Sequence, residues 1–352
     1  MPCLRTCREI QAAFTTLDSS RCACPQGRER HPHHGPRRSG RQPLRLRGEH
    51  GECRLYDDQV SLREQFLQSR PWAKSWGRPA PGEGKTLFWL SLIHVTAAAG
   101  LFLFPIPSWP VAALALALTW IGGLGTTICY HRALAHRSVT LSPTVRSILT
   151  FFAILNGSGT PRGWTANHRL HHATSDTVED VSSPRIGGFW WAHLRWIWQA
   201  GQAPMDRYSP DLDRPSYRMW DRLQLPIMAL SYLGGLAFGL EGFFWLGSIR
   251  LVFALHGQCF VNSICHMGTE SKPGQDSSRN VAWLAAWHLL QGENWHANHH
   301  AQPWCARLGL KTFQVDAGWW IILLLEKVGL ARDVRRPKEA PVPAGRLVLK
   351  PE

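Results

Sequence analysis

Acidic residues are scarce in this chain of 352 residues: 25 Asp and Glu stand against 39 Lys and Arg, a formal charge of +14. Charged residues of both signs make up only 18%, less than a soluble single-core domain of this length usually carries on its surface. No continuous apolar stretch opens the chain, which excludes a secretory signal there, and the acids in the first part weaken a transit-peptide reading. The nine cysteines are an odd number, and Cys129, Cys259 and Cys265 sit in or beside apolar runs. That argues against a disulfide framework and for reduced thiols. No repeat of 20 to 50 residues is visible, which argues against a solenoid.

The chain falls into unlike parts. Residues 1–84 form a basic N-terminal extension without apolar periodicity; its first 80 residues hold 15 Lys and Arg against 8 Asp and Glu. This composition predicts a solvated, largely disordered tail. Cys22-Ala-Cys24 beside His31, His33 and His34 fits no common zinc spacing. Residues 85–337 form the main domain, and 338–352 a C-terminal tail.

The main domain begins with two runs, Thr86 to Phe104 and Pro110 to Tyr130, that contain no Asp, Glu, Lys or Arg. At about 1.5 Å per residue, about 20 residues cross the hydrocarbon layer. Both runs predict transmembrane helices joined by the tight turn Pro105 to Trp109. A second pair is expected from Leu225 to Leu240 and from Phe243 to about Cys265, turning at Glu241-Gly242. Arg250 lies inside the last run and must snorkel or find a partner. Both turns lack Lys and Arg, whereas His131 to Gln224 contains eleven Arg. By the positive-inside rule, both termini and the long middle segment are cytoplasmic. The expected fold is an all-α integral membrane protein, multi-pass, with four transmembrane helices in two hairpins. A cytoplasmic helical cap, built from the amphipathic stretches Leu141 to Leu155, Gly188 to Gln199, Val281 to Gln291 and Val315 to Leu330, rests on the bilayer. Its tryptophans suit the interface, and the partners are membrane lipids, not nucleic acid.

There are seventeen histidines. Eight fall into three clusters: His131-Arg-Ala-Leu-Ala-His136, His168-Arg-Leu-His171-His172 and His296-Ala-Asn-His299-His300. On a helix, offsets of three and four residues turn by about −60° and +40°, so each HxxHH triplet projects from one face. Five residues turn by about 140°, so the helix carrying His131 and His136 must end or distort for both rings to reach a common ion. A ninth candidate is His266, with Asn262 four residues before it. His94, His193, His256 and His288 read as satisfied core histidines. Nine imidazoles exceed what one ion uses, and two ions at four or five ligands each would take them all. A nitrogen-rich set without thiolate suits Zn, Fe, Cu or Ni. Structural zinc favours closed sites, usually with Cys, whereas a crowded imidazole site at the inner membrane face suits an Fe(II) pair that activates O2.

The segments HRALAHR, HRLHHATSD, VNSICH and GENWHANHH resemble the three histidine boxes and the Asn-xxx-His element of integral-membrane fatty acid desaturases. The branch they are similar to is the acyl-CoA and acyl-lipid Δ9, stearoyl-CoA desaturase-like one, over about Thr86 to Pro337. The resemblance implies a metal centre of two Fe ions (Fe2+), O2 as oxidant, and two electrons from a small carrier. It implies a cis double bond placed in a saturated acyl chain linked to CoA or a lipid. The implied iron ligands are His131, His136, His168, His171, His172, His266, His296, His299 and His300, with Asn262 holding an iron-bound water; no catalytic residue beyond the metal centre is expected. Trp164 should line the bend of the acyl tunnel, and Thr119 and Gly123 are candidates for its closed end. Those two also read as helix-packing positions with small side chains. The segment Thr177 to Pro184 follows the family's Asp-Pro-rich pattern only loosely, and Asn294 stands where Gly is common. No His-Pro-Gly-Gly motif of a fused cytochrome occurs, so the electron donor is expected to be a separate acidic protein, such as a ferredoxin or cytochrome b5, docking on the basic face. A bacterial inner membrane is the expected location. Two other functions remain open on the residues: a diiron membrane hydroxylase or oxygenase of a lipid or alkane, and a non-catalytic metal-binding membrane protein. A transporter would carry its ligands near the bilayer midplane.

Overall fold

In the computed structural model, residues 68–268 and 275–337 are described; the Cys22 and Cys24 motif and the tail 338–352 lie outside them. The fold is almost wholly helical. Three stretches are long and apolar enough to cross a membrane: Gly84–Leu103, Trp109–Ala135 and Pro215–His266. The first, α1 (Gly84–Leu103), starts where Thr86 Oγ1 donates to Glu83 at 2.6 Å. It buries Leu90, Ile93 and Ala97 on one side and bares apolar side chains on the other, with Phe102 85% exposed. A helix that bares such side chains is stable in hydrocarbon, where its backbone is satisfied internally.

The second stretch begins as α2 (Trp109–Leu124), with Pro110 in the first turn, where a missing N–H costs nothing. From Gly125 to Ala135 it widens into π-helical turns. The His136 N–H accordingly donates to the His131 carbonyl, five residues back, at 3.0 Å. This is the distortion expected from the HxxxxH spacing, since a wider turn brings residues five apart towards one side. Gly125 sits against the Leu149 carbonyl and Ala153, where a β-carbon has no room.

The third stretch differs from the expected Leu225 start. It begins as α6 (Pro215–Leu233), because its first turns are amphipathic and bury Tyr217 and Trp220 in the core while Arg218 faces out. Tight turns follow over Gly234–Phe238 and Gly239–Gly242, with Gly239 at φ 74°, where a side chain would be strained. Wide turns over Phe243–Ile249 then lead into α7 (Arg250–Asn262). The two arms meet: a β-carbon on Gly247 would lie 2.6 Å from the Tyr232 carbonyl oxygen. Arg250 is buried and each of its guanidinium nitrogens is hydrogen-bonded, as a buried charge requires. It donates to Leu246 O at 2.7 Å, Asn156 Oδ1 at 2.9 Å, Leu155 O at 3.2 Å and the Ser231 hydroxyl.

Between the second and third stretches lie α3 (Pro143–Leu155), α4 (Pro161–Thr174), α5 (Pro184–Trp190) and helical turns over Trp191–Gln199. Ser142 and Thr160 cap α3 and α4, each followed by Pro at the first helical position. After α7 come α8 (His296–Ala301) and α9 (Ala317–Lys327), the latter capped by Asp316 accepting from Trp319 N–H at 2.9 Å. The stretch Val281 to Gln291 is a short helical turn, Ala282–Ala285, and further turns with Leu289 and Leu290 at positive φ. Two short strands, β1 (Thr140–Leu141) and β2 (Ala331–Arg332), pair antiparallel. Arg132, 1% exposed, donates to Asp316 Oδ1 at 2.8 Å and to the carbonyls of Ala306 and Gln291 at 2.9 Å, tying the widened turns to the C-terminal helix. Ahead of α1, the carbonyls of Lys74, Ser75 and Trp76 accept from Arg195, Gln199 and Trp198. Ordered contacts thus begin before Gly84. Cys129, Cys259, Cys265 and Cys305 are free and buried.

Candidate metal centre

The nine histidines singled out in the sequence converge, and they divide into two groups. His131, His136, His168, His172 and His299 form one; His171, His266, His296 and His300 form the other. Within each group the ring nitrogens that could bind an ion lie within 4.8 Å of one another. The division runs through the boxes. On α4, His168 and His172, one turn apart, serve the first group while His171 serves the second. On α8, His296 and His300 serve the second while His299 serves the first.

Nε2 atoms face one another closely: His131 and His299 at 2.9 Å, His299 and His172 at 2.9 Å, and His136 and His168 at 2.8 Å in the group of five. In the group of four, His266 and His296 are 2.9 Å apart, His300 and His296 3.0 Å, and His171 and His300 3.4 Å. Carboxylates reach four of the rings from behind. His131 Nδ1 lies 2.9 Å from Glu293, His171 Nδ1 2.9 Å from Asp180, His266 Nδ1 3.0 Å from Asp176 and His300 Nδ1 2.8 Å from Asp276. Each such contact puts the proton on Nδ1 and leaves the Nε2 lone pair pointing inward, the arrangement that orients metal-binding imidazoles. In His171 and His300, where both Nδ1 atoms hold the proton, the two Nε2 lone pairs face each other at 3.4 Å, an arrangement that a cation between them satisfies. The donor set therefore fits two metal ions, one with five imidazoles and one with four.

Electrostatics agree. Burial, then the charge of neighbouring imidazoles, holds His168, His172, His296, His299 and His300 well below the ordinary imidazole value, so these rings are neutral donors. At His171 burial pulls downward, but Asp180, with Asp176 and Asp276, outweighs it and the value is raised. Burial pushes Glu293 up, yet the charge and hydrogen bond of His131, then Arg132 and Thr127, bring it down to about 2.

These four carboxylates were not among the sequence candidates. Three had a local signal: Asp176 and Asp180 follow the second box closely, and Glu293 stands three residues before His296. Asp276 had none. Asn262 ends α7, half-buried, and its amide forms no hydrogen bond to another described residue. Trp164 stacks on His168 with ring centroids 4.8 Å apart and lies 6.0 Å from His131, under the group of five. Thr119 is buried and donates to the Ala115 carbonyl at 2.8 Å, and Gly123 packs against the Gln291 amide. Neither borders the apolar groove of about 780 Å³ between Trp109, Leu116 and Trp120 on α2 and Leu289 and Leu290. His288 is a core histidine bonded to the Gly257 carbonyl.

Known proteins resemble this chain. The family model described as fatty acid desaturase matches residues 107–322. Delta-9 acyl-lipid desaturase 1 of Arabidopsis thaliana is 36% identical over 246 residues, 66% of this chain and 78% of the relative. The sn-2 palmitoyl-lipid 9-desaturase of Nostoc sp. (strain 36) is 33% identical over 274 residues, 73% and 93%. The sn-1 stearoyl-lipid 9-desaturase of Synechocystis sp. is 35% identical over 260 residues, 72% and 80%.

Proposed function

Because the chain belongs to the fatty acid desaturase family, we propose that it introduces a cis double bond at Δ9 of a saturated acyl chain carried on a membrane lipid or on CoA. The division of nine inward-facing imidazoles into five and four carries the reading, because it suits a pair of iron ions. His131, His136, His168, His172 and His299 would hold one ion, and His171, His266, His296 and His300 the other. Asn262 is assigned to a water beside the second. Bound iron supplies the activation of O2 that an unactivated C–H bond demands.

The chain's own residues do the rest. Glu293, Asp180, Asp176 and Asp276 hold protons on Nδ1 and keep the rings oriented. Burial of the cluster keeps bulk water from the reactive centre. Trp164 lines the bend of the acyl path, and Thr119 and Gly123 lie towards its closed end. Overall the reaction converts R–CH2–CH2–R′ with O2, two electrons and two protons into R–CH=CH–R′ and two waters. The electrons come from a separate acidic carrier, a ferredoxin or cytochrome b5, and a basic cytoplasmic face suits it.

The same reading sets the architecture as four spans in two hairpins, with α6 and α7 forming the second pair. The cap and both termini face the cytoplasm of a bacterial inner membrane. Residues 85–337 form the desaturase domain, 1–84 the extension and 338–352 the tail. The test is expression in a desaturase-deficient host, with derivatised fatty acids analysed by gas chromatography and mass spectrometry beside His299→Ala. A new mono-unsaturated acid only with the wild type is expected, its fragments placing the bond at Δ9. Hydroxylated chains in its place would overturn the desaturase reading in favour of a hydroxylase.

A further inference from the structure

A second string of histidines lies outside the metal centre. His94 on α1, His256 on α7 and His193 in the turns over Trp191–Arg195 come from three elements distant in sequence, and they touch in a line. His94 Nδ1 lies 2.7 Å from the Leu90 carbonyl, and its Nε2 lies 3.1 Å from His256 Nε2. His256 Nδ1 is 2.8 Å from His193 Nε2, and His193 Nδ1 is 3.0 Å from the Ser263 hydroxyl, which itself lies 2.8 Å from the Cys259 carbonyl. The His193 ring is stacked on Phe189 and crossed or tilted against Trp190 and Phe260. Among the described residues, no carboxylate, lysine or arginine is in hydrogen-bond or ion-pair contact with the three imidazoles.

Both ends of this line are carbonyl oxygens, which only accept. Three neutral imidazoles and one hydroxyl offer four protons, and there are five contacts. In the neutral chain the Ser263 hydroxyl turns to donate to His193 Nδ1, and every N–H points towards Leu90. With one added proton, His193 Nδ1 donates to Ser263 and the hydroxyl turns to the Cys259 carbonyl. The three rings are fully hydrogen-bonded in both states, which differ by one proton and one hydroxyl rotation. His94 Nδ1–H is fixed on the Leu90 carbonyl in both, so the proton enters and leaves at the Ser263 end.

We propose that His94, His256, His193 and Ser263 form a one-proton relay stage that fills and empties through Ser263. Ser263 lies three residues before His266 in the chain, and its carbonyl accepts from the His266 N–H at 3.2 Å, so the residue at the exchanging end is joined through the backbone to the metal-binding arm. The role rests on the desaturase reading, in which each turnover takes up two protons. A group that accepts a proton and returns it without breaking its own bonding suits that traffic. Burial, with the His256 charge second, brings His193 to about 4, so the chain is empty at rest and holds its proton only transiently.

The experiment uses metal-free, full-length protein in lipid nanodiscs with 15N-labelled histidine, followed by solid-state NMR from about pH 8 to about pH 2.5, from above the ordinary imidazole value to below the lowered one. Wild type minus His256→Gln should show a single proton taken up jointly by three coupled rings. Ser263→Ala should keep the rings in place and slow exchange of that proton at least about tenfold. Three rings titrating independently, or an uptake unchanged in His256→Gln, would overturn the relay. In the iron-loaded enzyme, Ser263→Ala should lower turnover and enlarge the solvent deuterium effect at unchanged iron content; an unaltered isotope effect would also overturn it. Because the first readout needs neither iron nor product, a wrong assignment of the reaction would leave it standing.

Discussion

The two halves of the candidate metal centre are built to opposite plans. The group of five imidazoles has one carboxylate behind it, Glu293 on His131, whereas the group of four has three, Asp180, Asp176 and Asp276. The half with fewer rings has more negative charge drawn up behind it. A carboxylate on Nδ1 makes Nε2 a stronger donor, so ligand number and ligand strength trade against each other. The lesson is that the two ions would be held in unequal environments, one with five rings and a single carboxylate behind them, the other with four rings and three carboxylates.

The comparison breaks most completely if one half is emptied. His299→Ala removes a ring that faces both His131 and His172; activity should vanish and iron content fall, checked by product analysis and metal assay of purified protein. Next comes the charge behind each half. Glu293→Gln and Asp176→Asn should each cost about 10- to 100-fold in activity or iron affinity. In a Mössbauer spectrum with two iron signals, each substitution should shift a different one; a shift of both by either variant would contradict unequal halves. Glu293 is ionised down to about 2, so its replacement removes a full charge at any working pH. Asp276→Asn should cost less than Asp176→Asn, because Asp276 is 37% exposed and water can take its place; metal titration of the two variants checks the order. Thr119→Trp should leave both iron signals alone while shifting the product profile towards shorter chains. The smallest effect belongs to removal of residues 1–67, which should change neither insertion nor iron. Extending that deletion through Trp76 should destabilise the protein, since it takes away the carbonyls that Arg195, Gln199 and Trp198 bind, and thermal unfolding would report it.

Much of the centre was legible in the amino-acid sequence. Box spacing brought forward every ring but His266, because helical offsets are local geometry, and the 140° mismatch of His131 and His136 already demanded a helix end or a distortion, of which widened turns are the form that occurs. The carboxylates were hidden for the opposite reason: Asp176 meets His266 across 90 residues of chain, and no periodicity marks a loop residue for such a role. Likewise His94, His193 and His256 looked like isolated core positions, since each comes from a different element and only tertiary packing aligns them. The early start of α6 was missed because its first turns are amphipathic and are buried against the core by Tyr217 and Trp220, which a search for unbroken apolar runs passes over. The first two spans, which lack such a mixed start, matched closely.

Arg132 has a consequence for how the molecule comes into being. It stands beside the earliest ring of the group of five, yet its carbonyl and carboxylate partners lie at Gln291, Ala306 and Asp316. During synthesis the guanidinium emerges long before the partners it has in the folded chain. The widened turns of α2 therefore gain these partners only once the last fifth of the chain has been made.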